Sequence, residues 1–108
     1  MNYTYINLTP HDITVLLPNN DKRVFKHDGT VARVSTTTEL VSSSAEEIPV
    51  YTVVYGKVIG LPEPVKNTRF IVSAMVKNAV PQRTDLVSPG ELVRDANGNV
   101  IGCRGFYW

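Results

Sequence analysis

Glu91-Leu-Val-Arg-Asp-Ala-Asn-Gly-Asn-Val-Ile-Gly-Cys-Arg-Gly-Phe106 reads as a β-hairpin. Asn97-Gly98 between two apolar runs is a strong hairpin signal. Two turns fit it. A two-residue type I′ loop pairs Ala96 with Asn99 and sets Arg94 and Arg104 on opposite faces. A three-residue loop, Ala96-Asn97-Gly98, is a type I turn closed by Gly98 in the left-handed region. Asp95 in the first turn position favours the second, because its carboxylate accepts backbone N–H bonds there.

In the three-residue register Arg94 faces Val100, Val93 faces Ile101, Leu92 faces Gly102 and Glu91 faces Cys103. Val93, Ile101 and Cys103 then share an apolar face. The other face carries Arg94 and Arg104, about 13 Å apart at ~3.3 Å per residue, with bare backbone at Gly102 between them. A glycine inside a strand marks close approach of a ligand or of another backbone. Guanidinium groups recognise phosphate or carboxylate in a planar, bidentate way. The spacing therefore predicts an anion-binding face at Arg94, Gly102 and Arg104. The competing, ordinary reading is that each arginine pairs with a carboxylate such as Glu91 or Asp95.

The rest of the chain is read outward from this hairpin as a β scaffold. Residues 2–8 and Ile13–Leu17 are predicted strands around the turn Thr9-Pro-His-Asp12, forming a first hairpin or corner. Arg23–Lys26 and Val31–Ser35 follow as short strands. Thr36–Glu47 is the longest polar stretch, expected as a surface loop or as a capped turn around Ser44–Glu47. Pro49–Tyr55 is the most strongly β segment, and Gly56 is expected to turn it into Lys57–Gly60. Arg69–Ser73 reads as a central strand, and Ser73 as the cap of a single short helix, Ala74–Ala79, stopped by Pro81. Many short strands punctuated by Gly, Pro and Asn predict a mainly β fold, a compact small β-barrel or sandwich with one short helix.

Composition bounds the function. At 108 residues with 43% hydrophobic content, residues 1–108 form one β-rich domain with a core of its own. A formal charge of +1 without a Lys/Arg block argues against capture of duplex nucleic acid. Cys103 is the single cysteine, so an intramolecular disulfide and a finger-type zinc site are excluded. Neither a signal-peptide pattern nor an apolar run of membrane-spanning length is present, so a cytoplasmic protein without membrane contact is expected.

Catalytic patterns are missing. Two histidines sixteen positions apart make no metal-ligand spacing, and neither a Gly-x-Ser-x-Gly elbow nor a phosphate-cradling loop occurs. No metal and no cofactor is expected. His11, with Asp12 as its neighbour, is a candidate base or phosphate donor, or else fixes its own turn. Arg33 alternates with Ala32 and Val34 and is expected to face outward toward an anion, or simply toward water. Ser73 could offer backbone N–H groups at the helix start. Arg83 and Asp85 form either a ligand clamp or a weak exposed ion pair. Phe106-Tyr-Trp108 is expected either to pack as a last strand or to bury in a neighbouring subunit, the second being favoured and implying a homo-oligomer.

The order Asn7-Leu-Thr-Pro-His-Asp-Ile13, Val31-Ala-Arg-Val-Ser35, Gly60-Leu-Pro-Glu-Pro64, Phe70-Ile-Val-Ser73 and Val93-Arg-Asp…Ile101-Gly-Cys-Arg-Gly105 resembles a family of short bacteriophage and bacterial proteins. The resemblance spans nearly the whole chain and carries no activity of its own. A phage origin places the chain in the host cytoplasm. It also suggests an analogy to counter-defence sponges, which oligomerise and trap cyclic nucleotide or cyclic ADP-ribose signals. The expected function is non-enzymatic sequestration of an anionic small molecule of nucleotide type. Arg94 and Arg104 would take phosphates, with Gly102, Arg33, His11 and Ser73 supporting and Tyr5, Phe70 or Phe106 stacking a base. The alternative is a protein-interaction module, an inhibitor of a host protein or a minor virion component. An enzyme built on His11 is the least supported reading.

Overall fold

The segment Thr68-Arg-Phe-Ile71 is the central strand the sequence predicts, and its neighbours explain its composition. In the computed structural model, which describes residues 2–41 and 48–108, Phe70, Ile71 and the following Val72 are buried. The strand is flanked by parallel partners on both sides, the setting in which a strand reads as a continuous apolar run. Numbered along the chain, the strands are β1 (Thr4–Asn7), β2 (Ile13–Leu16), β3 (Lys22–Phe25), β4 (Arg33–Leu40), β5 (Tyr51–Ile59) and β6 (Thr68–Ile71). Helix α1 (Ala74–Ala79) follows, then β7 (Leu86–Pro89), β8 (Leu92–Arg94), β9 (Val100–Cys103) and β10 (Phe106–Tyr107).

Three sheets result. One runs β1-β6-β7-β10, a second β3-β2-β9-β8, and β4-β5 stands as a two-stranded ribbon. The fold is mainly β with one short helix, and no barrel closes among the described residues, so the sandwich expectation is the one met. The core gathers Leu8, Ala32, Phe70, Val72, Val76 and Leu86, with Val34 and Val58 packed on it from the base of the ribbon. Helix α1 has the predicted bounds. The Ser73 hydroxyl accepts from the Val76 N–H at 3.2 Å, the bond expected of an N-cap.

Three expectations are sharpened or corrected. First, of the hairpin or corner expected over residues 2–17 the corner forms: β1 and β2 do not pair with each other, β1 lying parallel to β6 and β2 antiparallel to β3. Asn7 accounts for the divergence. Its buried amide donates to the carbonyls of His11 and Phe25, both at 2.8 Å, and its oxygen accepts from the Thr9 N–H and hydroxyl. This holds the chain in a corner rather than a hairpin. Second, β4 continues through Thr36, Thr37 and Thr38, whose β-branched side chains suit a strand better than a loop. The Ser44–Glu47 turn lies outside the described residues. Third, Gly56 does not end a strand. It sits inside β5 at a bulge, where a Cβ would collide with the Ser35 hydroxyl.

Candidate functional site

The Asp95–Asn99 turn forms as read. Gly98 has φ +83°, its N–H donates to the Asp95 carbonyl at 3.0 Å, and the Asp95 carboxylate accepts from the N–H groups of Asn97 and Asn99. Arg94 pairs with Val100 as expected, but a bulge follows. Val93 then pairs with Gly102, Leu92 with Cys103, and the Arg104 N–H donates to the Glu91 carbonyl at 2.8 Å. The extra residue on β9 moves Arg104 to the face opposite Arg94.

Both arginines are engaged locally. Arg94 donates to the Gly98 carbonyl at 2.9 Å and braces its own turn. Arg104 lies 3.3 Å from the Glu91 carboxylate, the carboxylate pairing of the ordinary reading. Gly102 is bare because β2 runs beside it: an added Cβ would stand 2.9 Å from the Thr14 carbonyl oxygen. Another backbone, rather than a ligand, accounts for that glycine. The single aligned face of Arg94, Gly102 and Arg104 is therefore not formed.

The secondary candidates fall in two places. His11 is exposed and contributes its carbonyl to the Asn7 and Thr9 network. Its neighbour Asp12 instead accepts from the His27 N–H at 2.9 Å. Arg33 and Ser73 share a shallow depression of about 220 Å³ beside α1. The Ser73 oxygen is occupied by its capping bond there, while Arg33 is exposed. No group of three or more His, Cys, Asp or Glu residues able to hold a metal occurs among the described residues, and none of their helices is long and apolar enough to cross a membrane.

Arg83 and Asp85 form a strong pair. Arg83 donates to both Asp85 oxygens at 2.8 Å and to the Pro62 carbonyl at 2.9 Å, with only 18% and 15% of the two side chains exposed. Its Nε and Nη2 donors are engaged by the protein, which makes the pair a structural clasp in this structure. The guanidinium holds the Asp85 carboxyl below the usual carboxylate range, against the opposing effect of burial. A depressed carboxylate pKa stabilises the fold above its unfolded value of 3.8, and that stability is lost as pH falls through the folded value. Asp85→Asn is expected to cost about 2 kcal/mol near pH 7 and to flatten the decline below pH 5. Urea unfolding across pH checks both; an Asn variant whose acid decline parallels the wild type would contradict the assignment.

A convergence of cations and aromatic rings, at the start of β1, was not anticipated. Tyr3 and Tyr5, two apart, project together at β1, and parallel register sets Tyr5 beside Arg69 of β6. Arg23 and Phe25 project together from β3. Tyr5, Phe25 and Phe106 form a three-ring cluster with centroids 5.4 to 5.5 Å apart, joining the two four-stranded sheets. The Arg69 guanidinium lies 3.9 Å over the Tyr3 ring and donates to the Tyr5 hydroxyl at 3.3 Å; that of Arg23 lies 4.7 Å over the Phe25 ring. Neither has a carboxylate within ion-pair distance among the described residues. Beside them opens a polar depression of about 510 Å³ lined by Asn2, Tyr3, Tyr5 and Arg23; Arg69 does not line it but stacks on the Tyr3 ring of its wall.

Stacking uses the face of a guanidinium and leaves its N–H edge, the edge that binds phosphate or carboxylate bidentately, to other partners; Arg69 gives one N–H of that edge to the Tyr5 hydroxyl. The sequence signals were Tyr-x-Tyr and Arg-x-Phe, each ordinary alone; only the pairing of distant strands assembles them. Compared with family models, curated proteins and solved structures, the chain matches none.

Proposed function

We propose that this protein binds an anionic small molecule of nucleotide type without transforming it, and that the Tyr3, Tyr5, Arg23 and Arg69 cluster is where it does so. One observation carries this reading: Arg23, stacked on Phe25, lines an open polar depression with Tyr3 and Tyr5, Arg69 stacks on the Tyr3 ring beside it, and neither guanidinium has an acidic partner among the described residues. Charge-assisted bonds to phosphate oxygens would hold the ligand, and the outer part of Tyr3 offers a ring for a base. By the resemblance to phage proteins, the ligand would be a cyclic nucleotide or cyclic ADP-ribose signal made by the host.

Calorimetric titration with a mononucleotide, a cyclic dinucleotide and cyclic ADP-ribose tests the reading. At least one is expected to bind and to be recovered intact after heat denaturation. Arg23→Ala and Arg69→Ala should each weaken binding by about 10- to 100-fold, the equivalent of a charge-assisted hydrogen bond. Arg94→Ala and Arg104→Ala should leave it unchanged. Failure of all three ligands, or tight binding in the Arg23→Ala/Arg69→Ala double variant, would sink it.

A second reading, a protein-interaction module such as a host-enzyme inhibitor or a minor virion component, draws on the β4–β5 ribbon and its uncovered apolar side chains.

A further inference from the structure

The β4–β5 ribbon is long, two-stranded and bare. Val34 and Val58, paired across it, anchor its base on the core, and among the described elements α1 is the only other one with substantial packing against it. The described chain has a radius of gyration of 17.0 Å and a long axis of 55 Å. A compact chain of this length would have a radius near ~13 Å. Isolated two-stranded ribbons are marginal in water, and both outer edges here carry unpaired backbone groups.

One face of the ribbon is neutral and apolar. The pairs Thr36 with Tyr55, Thr38 with Val53 and Leu40 with Tyr51 share it. Leu40, Tyr51, Val53 and Tyr55 are 60%, 59%, 53% and 39% exposed. No other element of the described chain covers these side chains. Burying them is the natural outcome for a patch of this kind.

We infer that the occupant of this face is a second copy of the same chain, its ribbon laid antiparallel on the first about a two-fold axis at Val53. The order Tyr51-x-Val53-x-Tyr55 is symmetric about Val53, so the axis sets Tyr51 over the partner's Tyr55 and Val53 over the partner's Val53. A closed two-fold contact needs such self-complementarity, and a face without charge brings no like charges together. The six side chains offer on the order of 550 Å², so two faces together bury roughly 1,100 Å², just above the ~1,000 Å² that marks a specific interface.

Light scattering of the full chain at about 100 μM, where a micromolar contact is saturated, is expected to give twice the 12.0 kDa monomer mass. Val53→Lys is expected to halve that mass with an unchanged circular dichroism spectrum, and Thr37→Lys, on the opposite face, to leave it alone. A cross-link covers the case of a lysine variant that fails to fold. Val53→Cys should form an intermolecular disulfide under mild oxidation and Thr37→Cys should not, while Cys103 is buried and stays out of the reaction. A monomeric wild type, a Val53→Lys variant that remains dimeric, or no Val53→Cys cross-link overturns the inference. A monomer would assign the ribbon to a different protein.

Discussion

Asn7→Ala is expected to lower the free energy of unfolding by about 4 kcal/mol, since each hydrogen-bonding group left without its partner costs roughly 1–3 kcal/mol. The side chain is 1% exposed and makes four hydrogen bonds. Its amide joins the end of β1, the His11 corner and the end of β3, three places with no common ladder. Alanine would withdraw the donors to the His11 and Phe25 carbonyls and the acceptor for Thr9 in one step. Asn7→Asp keeps the volume but turns the donating end into an acceptor against two carbonyl oxygens, and it should do no better at neutral pH. Urea titration reads the effect as a drop in midpoint with an unchanged slope. A loss under about 1 kcal/mol, the worth of one ordinary hydrogen bond, would show that water replaces the amide.

Gly60→Ala should cost about 3–4 kcal/mol, combining a left-handed backbone with a steric collision. Gly60 has φ +78°, and a Cβ there would run into the Val31 carbonyl oxygen, which belongs to backbone and cannot swing aside. Gly98 provides the control. Its φ is +83° and nothing lies within 4 Å of the same added atom. Gly98→Ala should therefore cost about 1–2 kcal/mol, the conformational part alone. The difference between the two variants isolates the collision, and equal losses would remove it from the account. The collision site also matters locally. It sits where the chain leaves β5 beside the start of β4, so strain there should loosen the ribbon base.

What could be read in the sequence was local. The Asp95–Asn99 turn and helix α1 each rest on a few adjacent residues with definite chemistry: a carboxylate accepting turn N–H groups, Gly98 in the left-handed region, and a serine cap. Both were legible. Phe70 to Val72 announced a buried strand by being apolar throughout. The hairpin register was lost two residues beyond the turn, because a bulge adds one residue without any sequence mark and flips every later side chain. Gly56 was misread, and Gly102 left open between a ligand and a backbone, for a related reason: a glycine records that something comes close, but not what. Arg23, Arg69, Tyr3 and Tyr5 were invisible as a group, since parallel pairing of β1 with β6 sets Tyr5 beside Arg69 across most of the chain. The apolar face of the ribbon was half legible. Tyr51, Val53 and Tyr55 alternate plainly, but the three threonines opposite disguised their partner strand as a loop.

The parallel pairings also decide when this protein can exist. Thr4 pairs with Thr68, and Val15 with Cys103. A nascent chain growing at about 5–20 residues per second holds its first strands for several seconds before their lateral partners are made. The sheet that contains β2 gains its third strand only once Val100–Cys103 has been made. Folding of the two large sheets thus waits for β9 and β10. Until then Ile6, Leu8 and Val15 stay uncovered, in the state most open to holdase chaperones and to wrong pairings. A ribosome that stops before Val100 leaves both arrays without an edge, and the quality-control proteases, more than any loss of binding, would decide the fate of such a fragment.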